Sequence, residues 1–99
     1  MAKKIKWNDR ALNTFHAVAV YLEEEYSNKS SEKFVQTVFA KIEALQKYPT
    51  IGRKAPNKKT IRFVLVEKHY RLYYRVSGTT LIICSLFDTR QHPNKDIYR

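Results

Sequence analysis

Five residues in the second half of the chain are of types that can act on an anion: Arg62, Arg71, Tyr73, Arg75 and Arg90. A guanidinium makes paired hydrogen bonds to phosphate or carboxylate, and a nearby tyrosine can stack on a base or donate a hydrogen bond. Arg71, Tyr73 and Arg75 alternate with Leu72, Tyr74 and Val76, so in a strand the polar three share one face. His92 follows Arg90 by two positions and could exchange a proton near neutral pH. The other histidines, His16 and His69, have no cysteine or carboxylate at ligand spacing, so no metal site is expected. No cofactor is expected either, because Gly52 and Gly78 are the only glycines and cannot form a glycine-rich phosphate loop. Cys84 lies in an apolar run and reads as a small core residue rather than a nucleophile.

Charge points to the same half. The chain of 99 residues carries a formal net charge of +10. Residues 51–99 hold 11 basic and 3 acidic side chains, against 8 and 6 in residues 1–50. Such concentration suggests an anionic partner, either nucleic acid or an acidic protein segment. No run of apolar residues is long enough for a membrane helix. The basic N-terminus lacks the apolar stretch of a signal peptide. The one cysteine cannot form an internal disulfide and suits a reducing compartment.

The elements that position these residues follow from periodicity. Lys4 to Trp7 alternate as a short strand, and Asn8-Asp9 can cap a helix. From Asp9 to about Tyr26, Leu12, Phe15, Ala19, Leu22 and Tyr26 recur at helical spacing. Ser30-Ser31-Glu32 reads as the cap of a second helix, which runs to about Tyr48 with Val35, Val38, Ile42 and Leu45 on one stripe. Pro49 stops it. The stretch from Pro49 to Lys59 has two prolines, a glycine and four basic residues, and is expected to lack regular structure. Ile61, Phe63 and Leu65 share one face of the next strand, with Arg62, Val64 and Val66 on the other. Glu67-Lys68-His69 turns the chain into the strand of Arg71, Tyr73 and Arg75. Ser77-Gly78 is the next hairpin turn. Leu81 to Phe87 is apolar on both faces, as a central strand would be. The expectation is an α+β domain spanning residues 1–99 in the order strand, helix, helix, strand, strand, strand. A helical hairpin packs on one face of a curved, largely antiparallel sheet. The uncovered face should show Arg62, Arg71, Tyr73 and Arg75, with Arg90 arriving from the end of the last strand.

This ordered set resembles the RelE/ParE superfamily of toxins from type II toxin–antitoxin modules, over nearly the whole chain. Its first half is similar to the ParE branch, through Trp7-Asn8-Asp9-Arg10-Ala11, Tyr21-Leu22, Phe34 to Leu45 and Pro49-Thr50-Ile51-Gly52-Arg53. The second half carries the shared pattern Tyr70-Arg71-Leu72-Tyr73-Tyr74-Arg75-Val76, a turn, an apolar strand and Arg90. The resemblance implies a cytoplasmic toxin that arrests growth and is neutralised by a cognate antitoxin; the basic second half and the apolar helix faces predict that the antitoxin covers the helical hairpin and part of the basic sheet. ParE-like members poison DNA gyrase and are not nucleases. RelE-like members cleave mRNA on the ribosome without metal, the RNA's 2′-hydroxyl attacking the adjacent phosphate. Arg71 and Arg90 match the two arginines that stabilise the phosphate in that second branch, and Arg62 falls on the first of its two strand lysines. The second lysine, the general base, falls on Val64, which cannot take a proton. The late tyrosine has no match, since Tyr98 lies further along, and His92 or Tyr73 would have to serve in proton transfer. A ParE-like toxin acting on gyrase is therefore expected. A ribosome-dependent mRNA endonuclease using Arg71, Arg90 and His92 is the alternative, and a basic binding module without toxicity is a third reading.

Overall fold

The computed structural model describes residues 3–91 and 95–98. β1 (Lys4–Trp7) leads through Asn8 into α1 (Asp9–Glu25), and the Asn8 side chain accepts from the Ala11 N–H at 2.8 Å. This satisfies one of the amide donors that every helix start leaves unpaired. The second helix, α2 (Asn28–Lys47), begins earlier than its sequence suggests. Its cap is Ser27, whose hydroxyl accepts from the Ser30 N–H at 3.0 Å. Ser31 is instead buried and donates to the Ala19 carbonyl at 2.9 Å, which ties the two helices together. The stripe that α1 turns inward is also offset by about one position. Ala11, Phe15, Val18 and Leu22 meet the core, while Leu12 is 50% exposed.

Four more strands follow: β2 (Arg53–Ala55), β3 (Lys58–Val66), β4 (Tyr70–Ser77) and β5 (Thr80–Asp88). They form one sheet in the order β1-β5-β4-β3-β2, with β1 parallel to β5 and the other neighbours antiparallel. The architecture is the expected α+β arrangement with one strand more. β2 lies in the stretch expected to be irregular, but Pro49 and Pro56 flank it, and a three-residue edge strand needs no amide from either. Side chains from the sheet hold the approach to it. The Tyr74 hydroxyl donates to the Pro49 carbonyl at 2.7 Å and accepts from the Gly52 N–H at 3.0 Å. Any Cβ on Gly52 would lie 2.9 Å from the Phe63 carbonyl oxygen and against the Tyr74 ring. Only glycine allows that approach.

Both faces of the sheet are buried in part. On the helical side, Phe34, Val38, Ile42 and Leu45 from α2 pack on Val66, Tyr70, Leu72, Tyr74, Leu81, Ile83 and Leu86. On the other side a smaller core gathers Ala55, Ile61, Tyr73 and Cys84, with Phe63, Ile82, Phe87 and Tyr98 against it. The face expected to be open is thus partly covered by the C-terminal tail. A bulge lets β5 serve both cores, because Tyr73 opposes Ser85 while Tyr74 opposes Ile83, leaving Cys84 as the extra residue.

Candidate functional site

The uncovered-face residues divide between two sites on opposite sides of the sheet. β4 places Arg71, Tyr73 and Arg75 on the side away from the helices, and their cross-strand partners on β5 are Phe87, Ser85 and Ile82. Arg75 is exposed there. Tyr73 is not: it is fully buried, its ring 5.6 Å from Phe63 and 4.9 Å from Tyr98. It therefore cannot stack on a base, because the tail's own tyrosine already occupies its ring. Its hydroxyl donates to the Asp96 carboxylate and accepts from Arg71 Nη1 at 3.2 Å. Arg71 Nη1 also lies 3.7 Å from Asp96 Oδ2, and its guanidinium sits 4.4 Å from the Phe63 ring centroid. The Asp96 side chain is 5% exposed against 32% for Arg71, so the carboxylate is the inner partner. Its second oxygen accepts from the Tyr98 N–H at 3.0 Å. Burial, and then the hydrogen bond to Asp96, push the Tyr73 phenol up to about 12. The phenol is a fixed donor at neutral pH.

Arg90 belongs to the other side. Its Nε and Nη2 clamp Asp88 at 3.0 Å each, and Nη2 reaches the Tyr70 hydroxyl at 3.3 Å. Tyr70 is part of the helix-facing core, with its ring 5.2 Å from Phe34. Burial works against the Asp88 charge, but the hydrogen bonds from Arg90 outweigh it and hold the carboxyl below its ordinary value. The same hydrogen bonds raise the Arg90 pKa. Beside Arg90 lies a cleft of about 320 Å³ lined by Leu22, Tyr26, Lys33, His69 and Tyr70. Arg71 and Arg90 are therefore not brought together.

Arg62 also departs from expectation. It pairs with Tyr74, so it lies on the helix-facing side with Val64 and Val66, and not beside Arg71. The reason is the two-residue period of a strand, which ties Arg62 to whichever face takes Val66. Its Nη1 donates to the carbonyls of Gly52 at 2.8 Å and Thr50 at 3.2 Å, a structural task at the mouth of β2. Val64 is half-buried against the helical core. His92 lies outside the described residues. Among the described residues, no group of three or more His, Cys, Asp or Glu side chains could hold a metal ion. Asp96 and Tyr98 are the site residues that sequence reasoning missed. Their one local signal is the alternation Asp96-Ile97-Tyr98, with one of only three acids in a strongly basic half.

With this geometry established, known proteins offer a comparison. The family described as the ParE toxin of type II toxin–antitoxin system, parDE, matches residues 5–93. A protein of Sinorhizobium fredii (strain NBRC 101917 / NGR234) named "Putative toxin Y4kP" is 29% identical over 91 residues, covering 92% of this chain and 94% of that protein. Among solved structures, a chain of the chromosomal ParDE TA system from P. aeruginosa superposes with a TM-score of 0.73 at 19% identity, covering 88% of this chain and 96% of the other. That last likeness is one of fold.

Proposed function

The chain belongs to the ParE toxin family of type II toxin–antitoxin systems, and from that premise we propose that it arrests growth by binding DNA gyrase in the bacterial cytoplasm. It performs no cleavage of RNA, and a cognate antitoxin neutralises it. One observation carries the choice against a nuclease. Arg71 and Arg90 lie on opposite sides of the sheet, each already facing a carboxylate, Asp96 and Asp88. Stabilising one phosphate in a transition state requires donors preorganised around the same atoms, and these two do not converge. Proton transfer, which typically contributes about 10²–10⁴-fold in rate, finds no base at Val64 or Tyr73 either. Val64 cannot accept a proton, and the Tyr73 phenol is held protonated up to about 12.

Binding needs only surface, and the molecule offers a basic and an apolar one on its two layers. Arg75 projects from the sheet, while Leu12 and Phe39, 50% and 52% exposed, leave apolar area on the helical hairpin. Large exposed apolar side chains on the hairpin suit a protein partner. The antitoxin is proposed to cover the hairpin and part of the basic sheet. Supercoiling by purified gyrase, measured with rising amounts of the protein, tests the reading: inhibition is expected, and undiminished supercoiling overturns it. New 5′ ends in ribosome-bound mRNA after induction would instead restore the nuclease.

A further inference from the structure

Arg71, Tyr73 and Asp96 form a completed anion site whose anion is supplied by the chain itself. A carboxylate is strongly disfavoured away from water unless it is paired and hydrogen-bonded. Asp96, 5% exposed, has the Tyr73 hydroxyl, the Arg71 guanidinium and the Tyr98 N–H around it. Two positions on, Tyr98 lays its ring 4.9 Å from that of Tyr73, and the Lys58 ammonium of β3 lies 5.7 Å from the Tyr98 ring centroid. The receptor half is built on strands: Phe63 and Tyr73 are cross-strand partners, and the Arg71 guanidinium sits 4.4 Å from the Phe63 ring centroid. The occupying half is a tail segment of four described residues, none of them in a strand. A receptor on strands filled by a segment outside the sheet is how an extended peptide is held on a folded domain.

We propose that Arg71, Tyr73, Phe63 and Lys58 form a binding site for an extended acidic segment of a partner protein, with an Asp followed two residues later by an aromatic side chain, and that Asp96 and Tyr98 are its occupant in cis. The partner's chemistry follows from the occupant. One carboxylate meets the Arg71–Tyr73 donors, and one ring fills the slot over Tyr73. Charge favours it as well, since residues 51–99 carry 11 basic and only 3 acidic side chains. A tethered occupant competes at an effective concentration of about millimolar, so an incoming segment binds measurably only where it outcompetes the tail or the tail has been weakened. The inference holds whether or not gyrase is the target.

The test uses the full chain carrying D96A and Y98A, with a fluorescently labelled peptide of residues 91–98 as probe. Anisotropy should show the double variant binding the peptide, and the wild type binding it about tenfold or more weakly because its own tail competes. Adding R71A to the double variant, or replacing the peptide's Asp by Asn, should remove the binding. Circular dichroism reports whether the double variant folds. If it does not, D96N alone, which keeps the side-chain shape, takes its place in the same titration. Equal binding to wild type and variant, indifference to Arg71, or no binding at millimolar peptide overturns the proposal.

Discussion

The Tyr73 hydroxyl donates to the Asp96 carboxylate across 23 positions of sequence, with the phenol wholly buried beneath the Tyr98 ring. A hydrogen bond to a charged group contributes about 1.5–3 kcal/mol, so Y73F should lower stability by that order, measured as a fall in urea midpoint at unchanged slope. The same contact has a pH signature. The Tyr73 pKa is pushed up from 10.0 to about 12 on folding. A raised folded value means that the protonated phenol favours the folded state. Its contribution is complete below the unfolded value and is lost as pH climbs from about 10 towards about 12. Urea midpoints across that window should fall more steeply for the wild type than for Y73F. Parallel curves would show that the buried phenol does not govern the alkaline limb.

Tyr74 pins the approach to β2 from the opposite face, through the Pro49 carbonyl and the Gly52 N–H. Y74F leaves the ring in the core but strands both backbone groups. Each unsatisfied buried group costs about 1–3 kcal/mol, part of which water recovers at this edge. G52A should be worse in one respect, because its methyl meets the Phe63 carbonyl and the Tyr74 ring together, and overpacking of this kind costs about 1–3 kcal/mol and displaces backbone. Hydrogen exchange is the discriminating measurement: G52A should speed exchange of β2 amides beyond the effect of Y74F on the same amides. Unchanged β2 protection in both variants would mean the strand is held by something else.

The β3–β4 turn carries Glu67 at φ 49 and Lys68 at φ 68, both in the left-handed region. Neither residue type favours it. Because Glu67 also accepts from the Thr37 hydroxyl at 3.3 Å, Lys68 is the position to relax. K68G should raise stability by about 0.4–1 kcal/mol, the reverse of the usual penalty for a side chain at such a φ. In a chain of this size the melting temperature moves by about 4–8 °C per kcal/mol, so a rise of a few degrees is expected. A fall would mean that the Lys68 side chain contributes more than its backbone costs.

The strand and helix periods made most of this architecture readable. The opposition of Leu72 and Tyr74 to Arg71 and Tyr73 is a matter of side-chain alternation, and it survives in β4. What the alternation cannot say is which face meets the helices, and for that reason Arg62 lies on the face opposite to the one expected. The cap of α2 lies three residues before the one its sequence suggests, because Ser27, Ser30 and Ser31 are all competent caps. Only tertiary contact sends the Ser31 hydroxyl to Ala19. Local pattern places neither the bulge at Cys84 nor the return of Asp96 onto Arg71, since one is a register shift between strands and the other a contact between distant segments. The same gap explains the candidate site. Arg71 and Arg90 look equivalent as isolated arginines, and only the fold assigns them different faces and different carboxylates.

Arg90 gives the sharpest separation of the two functional readings. Its fork on Asp88 is partly exposed, with 44% of the side chain accessible, so its loss should cost no more than about 0.2–1 kcal/mol, the range of exposed ion pairs. R90A should therefore fold, with a melting temperature close to that of the wild type. If the protein acts by binding and not by cleaving a phosphodiester, R90A should still arrest growth when induced without an antitoxin, and should still inhibit supercoiling. A charge-only role at the phosphate predicts the opposite, because removing one transition-state donor typically lowers rate by about 10²–10³-fold. Growth curves of induced cultures, read beside the melting temperature of the purified variant, decide the matter. Arrest abolished in a variant that remains folded would return Arg90 to a catalytic role.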